Sequence, residues 1–364
     1  MNPSRYGLRW QSKAPSPLRS ATAVHIARIA GAIFFALALV GCAGPQSATD
    51  PASQQAGIIS GLWWIHLAVT CGVFVIVMIF VLLSVRPRRV ELPDRAAIVN
   101  PDPRAERRLI IVIGGAVGLT VTILFALLVL DVFTTRSLAS FSGVGTNALS
   151  IQITGRQWWW EVQYTDPVPS NYVTTANELH IPAGKPVMFR LVSTDVIHSF
   201  WVPNLHGKKD LIPGMPATNW VRATLPGKYR GQCAEFCGYQ HAQMRLAVTV
   251  DPEDKFNEWL NAQKQPAAEP QTDSQKRGQQ FFLKTTCVMC HSIQGTEAFG
   301  RIGPDLTHIA SRPWIGAGAR PNTRENRAAW VQNAQHIKPG IRMPQHNIST
   351  EDLQALLDYL DTLK

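Results

Sequence analysis

The chain has 364 residues, which is too long for one ordinary domain and suits two small domains with additional segments. Its formal net charge is +10, and most of the excess lies in residues 1–145, which carry 13 Lys and Arg against 6 Asp and Glu. These basic residues flank long apolar runs, where they set membrane topology. Because the sequence has no basic helix and no aromatic–basic ladder, the charge does not indicate nucleic-acid binding.

The first 41 residues have the layout of a secretory signal. Basic residues without acids precede a short apolar stretch, residues 29–40, and Gly41-Cys42 follows. The end of this stretch resembles a bacterial lipoprotein signal, which predicts Cys42 as the lipidated mature N-terminus. The alternative is an ordinary signal that is cleaved nearby, with Cys42 incidental. Residues 42–56 are small and polar, so we expect a flexible tether there.

Two apolar segments, residues 62–85 and 109–132, are each long enough to cross a bilayer as a helix. They predict a transmembrane hairpin within residues 57–135. Seven arginines lie between the two segments, so the positive-inside rule predicts a cytoplasmic loop and an outward-facing chain after residue 133. The alternative interpretation is a pair of buried core helices in a soluble protein.

The segment 147–262 has the pattern of short β-strands. Apolar and polar residues alternate from Leu149, from Val187 and from Leu246, and breakers such as Pro213-Gly214 separate the runs. This pattern predicts an all-β sandwich or barrel.

The last part of the chain is expected to be helical. Residues 263–275 are polar and contain proline, which predicts a linker that spans roughly 20 Å as a coil. Residues 276–364 end in an amphipathic helix with Ser349 as a plausible N-cap. The fold class is therefore multidomain: a two-helix hairpin, an all-β domain and a C-terminal all-α domain.

The motif Cys233-Ala-Glu-Phe-Cys237-Gly-Tyr-Gln-His241-Ala-Gln-Met244 places four soft or borderline ligands within twelve residues. Thiolate, imidazole and thioether together favour copper over magnesium or calcium. A mononuclear blue-copper site uses one Cys, so the second Cys fits two metals bridged by thiolates better. A second metal would need another imidazole, for which His198 is the candidate. The alternatives are a disulfide, a zinc site, which rarely recruits Met, and a core role for His198.

His198 followed by this motif resembles the CuA site of cytochrome c oxidase subunit II. The stretches 155–164, 195–199 and 212–215 and the two-span hairpin also resemble that family, over about residues 57–262. The resemblance implies a cupredoxin-like Greek-key sandwich with a dinuclear copper centre.

The resemblance further implies a role for each ligand. Cys233 and Cys237 would bridge both copper ions, and His198 and His241 would each cap one of them. Met244 would be a weak ligand of one copper ion.

Residues around the ligands also receive roles from the resemblance. The Glu235 carbonyl would bind the second copper ion, and its side chain would reach a magnesium ion shared with subunit I. Trp158 would be the exposed aromatic at which electrons arrive, although strand alternation buries either Trp159 or its two neighbours. Asp195 would orient the ligand loop or form a plain surface turn. Glu106 would lie near a proton-uptake path or be a solvated loop charge.

The motif Cys287-Val-Met-Cys290-His291 matches the attachment pattern of c-type haem, with His291 as the proximal ligand. Gly303-Pro304, Met343-Pro344 and the terminal helix follow in an order that resembles class I cytochromes c over about residues 276–364. Met343 would then be the distal ligand and raise the haem potential. A zinc site at the two cysteines is the alternative for the first motif. The competing distal candidates are His308, His336 and His346.

The two modules in series resemble the caa-type haem–copper oxidases. This resemblance implies electron flow from a donor to haem c, to the copper pair, and to the haem and copper of subunit I, where oxygen is reduced to water with proton translocation. The implied partners are subunits I and III, membrane lipid, and a soluble or membrane cytochrome c or a quinol–cytochrome c reductase as donor. The implied location is the bacterial inner membrane, with both modules on the periplasmic face.

Other functions remain open from the sequence alone. The same electron-input subunit serves some nitric oxide reductases, and the chain is also compatible with a free-standing membrane-anchored electron carrier. A copper chaperone or sensor is disfavoured by the haem motif.

Overall fold

The predicted membrane hairpin consists of two long apolar helices, α1 (Gln54–Ser84) and α2 (Pro103–Ala139). The computed structural model describes residues 43–85, 103–140, 144–145 and 148–364, so the predicted signal, Cys42 and the arginine-rich loop lie outside the described residues. The first helix begins before its predicted span, and the second extends beyond its span at both ends. Each is long and apolar enough to cross a membrane, and the most apolar part of each is unburied. His66 Nε2 lies 3.6 Å from Asp131 Oδ1 and links the two helices.

The segment that precedes α1 is ordered, so the prediction of a flexible tether over residues 42–56 was wrong for its described part. The carbonyl of Pro45 accepts a hydrogen bond from Arg230 N at 2.7 Å, and Ala52 N donates to Asn204 O at 2.7 Å. Ala52 is buried in the β-rich core. Small side chains suggested flexibility, but they also allow the backbone to lie close to a neighbouring surface. Ser53 then caps α1 by accepting from Ala56 N.

Residues 148–263, called the β domain below, form a sandwich of two five-stranded sheets, as predicted. The first sheet contains β1 (Leu149–Arg156), β2 (Trp159–Thr165), β3 (Val173–Ala176), β5 (Pro186–Ser193) and β8 (Ala217–Arg222), in the spatial order β3-β2-β1-β5-β8. The second contains β4 (Glu178–Pro182), β6 (His198–Trp201), β7 (Lys209–Leu211), β9 (Gly227–Cys233) and β10 (Arg245–Asp251), in the order β4-β10-β9-β6-β7. The pairs β1–β5 and β4–β10 are parallel, and the other pairs are antiparallel.

The core of the β domain lies between the sheets and follows the alternation in the sequence. Ile151 and Ile153 of β1 and Leu246 and Val248 of β10 are all buried in one cluster. The domain is not wholly β, because its last segment forms the helix α3 (Glu253–Gln263). This helix buries an aromatic face against the sandwich, an amphipathic pattern that the expectation of an all-β segment overlooked.

Residues 264–364, called the C-terminal domain below, are mainly helical, as predicted. The helices are α4 (Asp273–Lys284), α5 (Cys287–Cys290), α6 (Arg324–Ile337) and α7 (Thr350–Leu360). Two short strand pairs accompany them: β11 (Ser292–Ile293) with β12 (Ala298–Phe299), and β13 (Trp314–Ile315) with β14 (Arg320–Pro321). Three-residue 3-10 turns occur at Pro169–Asn171 in the β domain, at His241–Gln243 in the ligand motif and at Ile309–Ser311.

The linker predicted over residues 263–275 is shorter and more ordered than a free coil. Gln263 still belongs to α3, and α4 already begins at Asp273 with Thr272 as its N-cap in a capping box with Gln275. Between them, Ala267 N donates to the carbonyl of Gln294. The linker therefore packs along the C-terminal domain instead of tethering it loosely.

The C-terminal domain is held together where α4 crosses α7. A Cβ atom at Gly278 would lie 2.0 Å from the carbonyl oxygen of Ala355 and 2.9 Å from Cβ of Tyr359, so only glycine permits this approach. Tyr359 and Leu356 are buried at the crossing with Phe282 of α4. Ser349 caps α7 as predicted, since its Oγ accepts from Asp352 N. The crossing positions the short helix α5, which directly follows α4.

We expect Gly278→Ala to destabilise the C-terminal domain. Alanine normally stabilises a helix interior by about 0.5–1 kcal/mol relative to glycine. Here the overlap with a backbone carbonyl forces the helices apart, and overpacking costs about 1–3 kcal/mol. Hydrogen exchange of α4 and α7 amides under denaturant measures the free energy of unfolding. The exposed neighbour Gln280→Ala is the control, expected within about 0.5 kcal/mol of the unsubstituted protein. Equal stability of the two variants would contradict the packing argument.

Candidate metal centre and neighbouring cavity

The structure brings the five predicted side-chain ligands together at one end of the β domain. His198 begins β6, and Cys233 ends β9. Cys237, His241 and Met244 follow in the loop that returns to β10. Because β9 pairs with both β6 and β10, the sheet register places the loop against His198. Four ligands close in sequence and one that is 35 residues away therefore share one pocket.

The two sulfur atoms lie at the centre of this arrangement. Cys233 Sγ and Cys237 Sγ are 3.8 Å apart, far longer than the ~2.05 Å bond of a disulfide, so both are free thiols. His198 Nδ1 lies 3.8 Å from Cys233 Sγ, and His241 Nδ1 lies 3.6 Å from Cys237 Sγ. One imidazole thus stands beside each sulfur.

Two further donors complete the pocket. Met244 Sδ lies 3.9 Å from Cys237 Sγ, and the carbonyl oxygen of Glu235 lies 3.2 Å from Cys233 Sγ. His198 and the two sulfurs form a cluster whose ligand atoms all lie within 4.8 Å of one another. Met244 and His198 are fully buried, and the Glu235 side chain is exposed. Thiol, imidazole and thioether donors in a dry pocket are the donor set that copper prefers.

Burial and hydrogen bonding control the charges of the pocket. The hydrogen bond between the two sulfurs holds the pKa of Cys233 well below its ordinary value and raises the pKa of Cys237. Cys233 is therefore the more acidic of the two cysteines. Burial alone would lower the pKa of His198, but hydrogen bonds to Asp195 and Cys233 outweigh it and raise that pKa. The second thiol must lose its proton when a metal binds.

His198 is oriented by its neighbours. Its Nε2–H donates to Asp195 Oδ1 at 2.8 Å, which leaves Nδ1 directed at Cys233 Sγ. Asp195 Oδ2 accepts from Gln157 N at 2.7 Å, so the carboxylate itself is fixed. A Cβ atom at Gly155 would lie 2.7 Å from the His198 ring, so this position requires glycine. The orienting role expected for Asp195 matches this geometry.

The ligand loop is fastened to the β1–β2 connection through one carbonyl. The carbonyl oxygen of Cys237 accepts from Trp158 Nε1 at 2.9 Å and from Gln157 Nε2 at 2.8 Å. The prediction that Trp158 is exposed was wrong, because its side chain is 8% exposed. It lies under the C-terminal domain, where Lys338 Nζ donates to the Trp158 carbonyl. Of the three tryptophans, Trp158 and Trp160 are buried and Trp159 is only partly covered.

A cavity of about 1050 Å³ lies in the C-terminal domain and is lined by the predicted haem-binding residues Cys287, Cys290, His291 and Met343. His291 Nδ1–H donates to the carbonyl of Pro304 at 2.7 Å, which leaves Nε2 as the ligand nitrogen. Burial lowers the pKa of His291, which favours the neutral imidazole that binds iron.

The structure separates the competing distal candidates. His346 lines the cavity together with Met343. His308 does not line it, and both of its ring nitrogens face backbone carbonyls, those of Lys364 and Gln263. His336 is exposed and also does not line the cavity. Gln335 Nε2 donates to the carbonyl of Met343 at 2.6 Å and fixes the loop that carries it. Met343 and His346 remain as candidates.

Trp158 connects the two sites. The same cavity is lined by Trp158 and Lys338, so its wall reaches the residue that hydrogen-bonds the copper-ligand loop. The sequence did not indicate Gln157 or Lys338 as functional. Gln157 could have been suspected as the neighbour of Trp158, whereas Lys338 carries no local signal because its partners come from the other domain. Glu106 is exposed in the first turn of α2.

Comparison with known proteins finds family matches for both the β domain and the C-terminal domain. Residues 149–250 match the family model of cytochrome c oxidase subunit II, periplasmic domain, and residues 275–364 match that of cytochrome c. The chain is 32% identical over 345 residues to cytochrome c oxidase subunit 2 of Alkalihalophilus pseudofirmus, covering 91% of this chain and 95% of the relative. It is 31% identical to that of Bacillus sp. strain PS3, covering 67% and 72%.

A solved structure also resembles part of the chain. The periplasmic domain of subunit II of cytochrome oxidase from Bradyrhizobium japonicum covers 33% of this chain and 96% of its own length. The sequences are 31% identical, and the TM-score is 0.31.

We expect Asp195→Ala to weaken copper binding about 10–100-fold, the usual effect of removing the group that orients a ligating imidazole. Without the carboxylate, neither the ring orientation nor the tautomer of His198 is fixed. Competition with a copper chelator measures the affinity. Asp210→Asn, at an exposed carboxylate on β7, is the matched control and should leave the affinity unchanged. An unaltered affinity in Asp195→Ala would contradict the orienting role.

Proposed function

This chain belongs to the cytochrome c oxidase subunit 2 family, and we propose that it receives electrons at a covalently bound haem and a dinuclear copper centre. It delivers them to the catalytic subunit of a haem–copper oxidase, in which oxygen is reduced to water and protons are translocated. The observation that carries this proposal is the pair of free, buried thiols with an imidazole beside each. When bound, the haem and the copper pair supply the two electron-carrying centres.

The donors favour two copper ions over one. Cys233 and Cys237 lie between the flanking donors, so each sulfur can bridge two metals while His198 and His241 each cap one. Met244 would be a weak donor on the Cys237 side, and the Glu235 carbonyl would be its counterpart on the Cys233 side. A single tetrahedral ion would use four donors and leave the others unsatisfied in a buried pocket.

A haem would be attached to Cys287 and Cys290 through thioether bonds and would be held by His291 and Met343. The cavity supports this assignment because it is bounded by all four residues. The hydrogen bond from His291 Nδ1 to the Pro304 carbonyl holds the imidazole with Nε2 available for iron. Gly303 is required beside this ring, because a Cβ atom there would lie 2.6 Å from His291 Cε1.

Trp158 is the residue through which we propose that electrons reach the copper pair. Its indole lines the haem-binding cavity and donates a hydrogen bond to the carbonyl of Cys237. Because it is buried against the C-terminal domain and not exposed as the sequence had suggested, we propose that it receives electrons from that domain of the same chain. One hydrogen bond and the backbone of Cys237 thus link the indole at the cavity wall to a sulfur of the metal site.

We assign the remaining segments to membrane attachment and assembly. The protein is membrane-anchored and has an outward-facing domain, in keeping with its two apolar helices and the periplasmic family match. In our proposal both helices span the bacterial inner membrane, after a signal over residues 1–41, and Cys42 is lipidated. The exposed Glu235 side chain is free to reach a magnesium ion shared with subunit I. Subunit III and a cytochrome c or quinol–cytochrome c reductase donor complete the proposed partners.

Cys233→Ser should remove the near-infrared absorption of the copper pair and reduce oxygen turnover to background, because serine cannot replace a bridging thiolate. The haem should still be reduced by the donor. Absorption spectra and oxygen consumption of the purified complex measure these effects. Cys71→Ser, which changes an exposed cysteine of α1, is the matched control and should retain full turnover. Turnover that survives in Cys233→Ser would exclude this electron path.

Met343→Ala should lower the haem reduction potential by on the order of 0.1 V, within the ~0.8 V range that axial ligands span. Loss of a thioether ligand removes its stabilisation of ferrous iron. Spectroelectrochemical titration of the haem measures the potential. His346→Ala tests the competing candidate and should leave the potential close to that of the unsubstituted protein. The opposite pattern in the two variants would assign the distal position to His346.

A further inference from the structure

The C-terminal domain contacts the β domain through polar groups that surround Trp158. Arg245 N, at the start of β10, donates to the carbonyl of Ala317 at 3.0 Å. The side-chain amide of Gln240 donates to the carbonyl of Pro339 at 2.8 Å. These bonds join the copper-ligand loop directly to two segments of the C-terminal domain, and together we call them the domain contact.

Apolar and charged groups reinforce the domain contact. A Cβ atom at Gly340 would lie 3.7 Å from the Trp158 ring, so the backbone of the C-terminal domain covers the indole closely. Arg312 lies 3.6 Å from Glu178 of β4, and both side chains are buried. Arg230 of β9 stacks over the Trp314 ring at 5.4 Å. The contact is therefore a specific interface with defined partners.

Lys338 lies at the centre of the domain contact. Its Nζ donates to the carbonyls of Trp158 at 2.7 Å, of Gln243 at 2.7 Å and of Gly316 at 2.8 Å. These three acceptors belong to the β1–β2 connection, to the copper-ligand loop and to the C-terminal domain. The side chain is 2% exposed, so water does not compete for these bonds.

The number of acceptors equals the number of N–H bonds on an ammonium group. Burial lowers the pKa of Lys338 to about 7, the electrostatic interaction with Cys237 partly opposes this, and the positive charge of Arg245 adds to it. Three accepting carbonyls favour the ammonium form, since a neutral amine has only two N–H bonds to donate. A small rotation of either domain would break several of these bonds at once inside a buried site, where an unpaired donor is costly. The ammonium group is therefore satisfied in one relative arrangement of the domains.

We propose that Lys338 is a positioning residue that fixes the haem-bearing C-terminal domain over Trp158 and thereby sets the rate at which electrons pass from haem to copper. This inference rests on the proposed function for its electron-transfer part, while its structural part stands alone. Its consequence is that an external donor does not reach Trp158 directly, because the docked domain covers it.

The structural part is tested by hydrogen exchange in the assembled complex. Lys338→Met removes the three donors and keeps a chain of similar length. We expect the amide of Arg245, whose acceptor lies across the domain contact, to exchange about tenfold faster, which corresponds to about 1.4 kcal/mol. The amides of Val248 and Val250 inside β10 report the folding of the β domain and should be unchanged.

Two further variants sharpen the test. Lys338→Gln retains two N–H bonds and should give a smaller acceleration than Lys338→Met. Lys276→Met makes the same charge change at an exposed position on α4 and should leave exchange at Arg245 unaltered. If Lys338→Met leaves Arg245 as protected as in the unsubstituted protein, the proposal is overturned.

The electron-transfer part is tested by injecting an electron photochemically into the oxidised complex and following haem and copper absorption. In Lys338→Met the haem should be reduced at the normal rate, and the transfer from haem to copper should slow about tenfold, because the C-terminal domain is no longer held in one position over Trp158. Faster exchange at Arg245 with an unchanged transfer rate would overturn the positioning role. If the unsubstituted complex itself shows no transfer from haem to copper, the proposed function fails, and the exchange result still decides the structural part.

Discussion

Two buried sulfur atoms, those of Cys233 and Cys237, constrain the whole outward-facing part of the molecule. They lie 3.8 Å apart and are not joined by a disulfide, and hydrogen bonds from Trp158 and Gln157 to the Cys237 carbonyl fasten the loop that carries them. The sandwich positions two further ligands. Strand β6 places His198 on one side of the sulfurs, and Met244, directly before β10, lies on the other. A rigid scaffold with little freedom to rearrange suits a centre that gains and loses electrons repeatedly.

The loop that presents the sulfurs also forms the surface on which the C-terminal domain rests. Trp158 is bonded to the ligand loop through its indole and to Lys338 through its carbonyl. The haem-binding cavity opens against the same indole. Net charge favours this docking only weakly, because the C-terminal segment carries only a small excess of basic over acidic residues. Specific hydrogen bonds to buried groups, and not net charge, define the arrangement.

Features that depend on residues close together in the sequence could be predicted from it. Features that depend on contacts between distant segments could not. The spacing of Cys233, Cys237, His241 and Met244 is local, so the ligand loop was predictable, as were the alternating strands and the Ser349 cap. His198 was assigned because the residues around it resemble a known family. The burial of Trp158 and the role of Lys338 depend on how two domains meet, and no periodicity within either segment encodes that. The composition of residues 42–56 also led to the wrong prediction of a flexible tether, because small side chains allow close packing as well as flexibility.

The central claim is that two copper ions share the two sulfurs, and the most direct measurement is metal and haem analysis of the purified chain with its partner subunits. The account predicts two copper ions and one covalently attached haem for each copy of the chain. A folded, fully loaded sample with a single copper ion, or with zinc in its place, would contradict it.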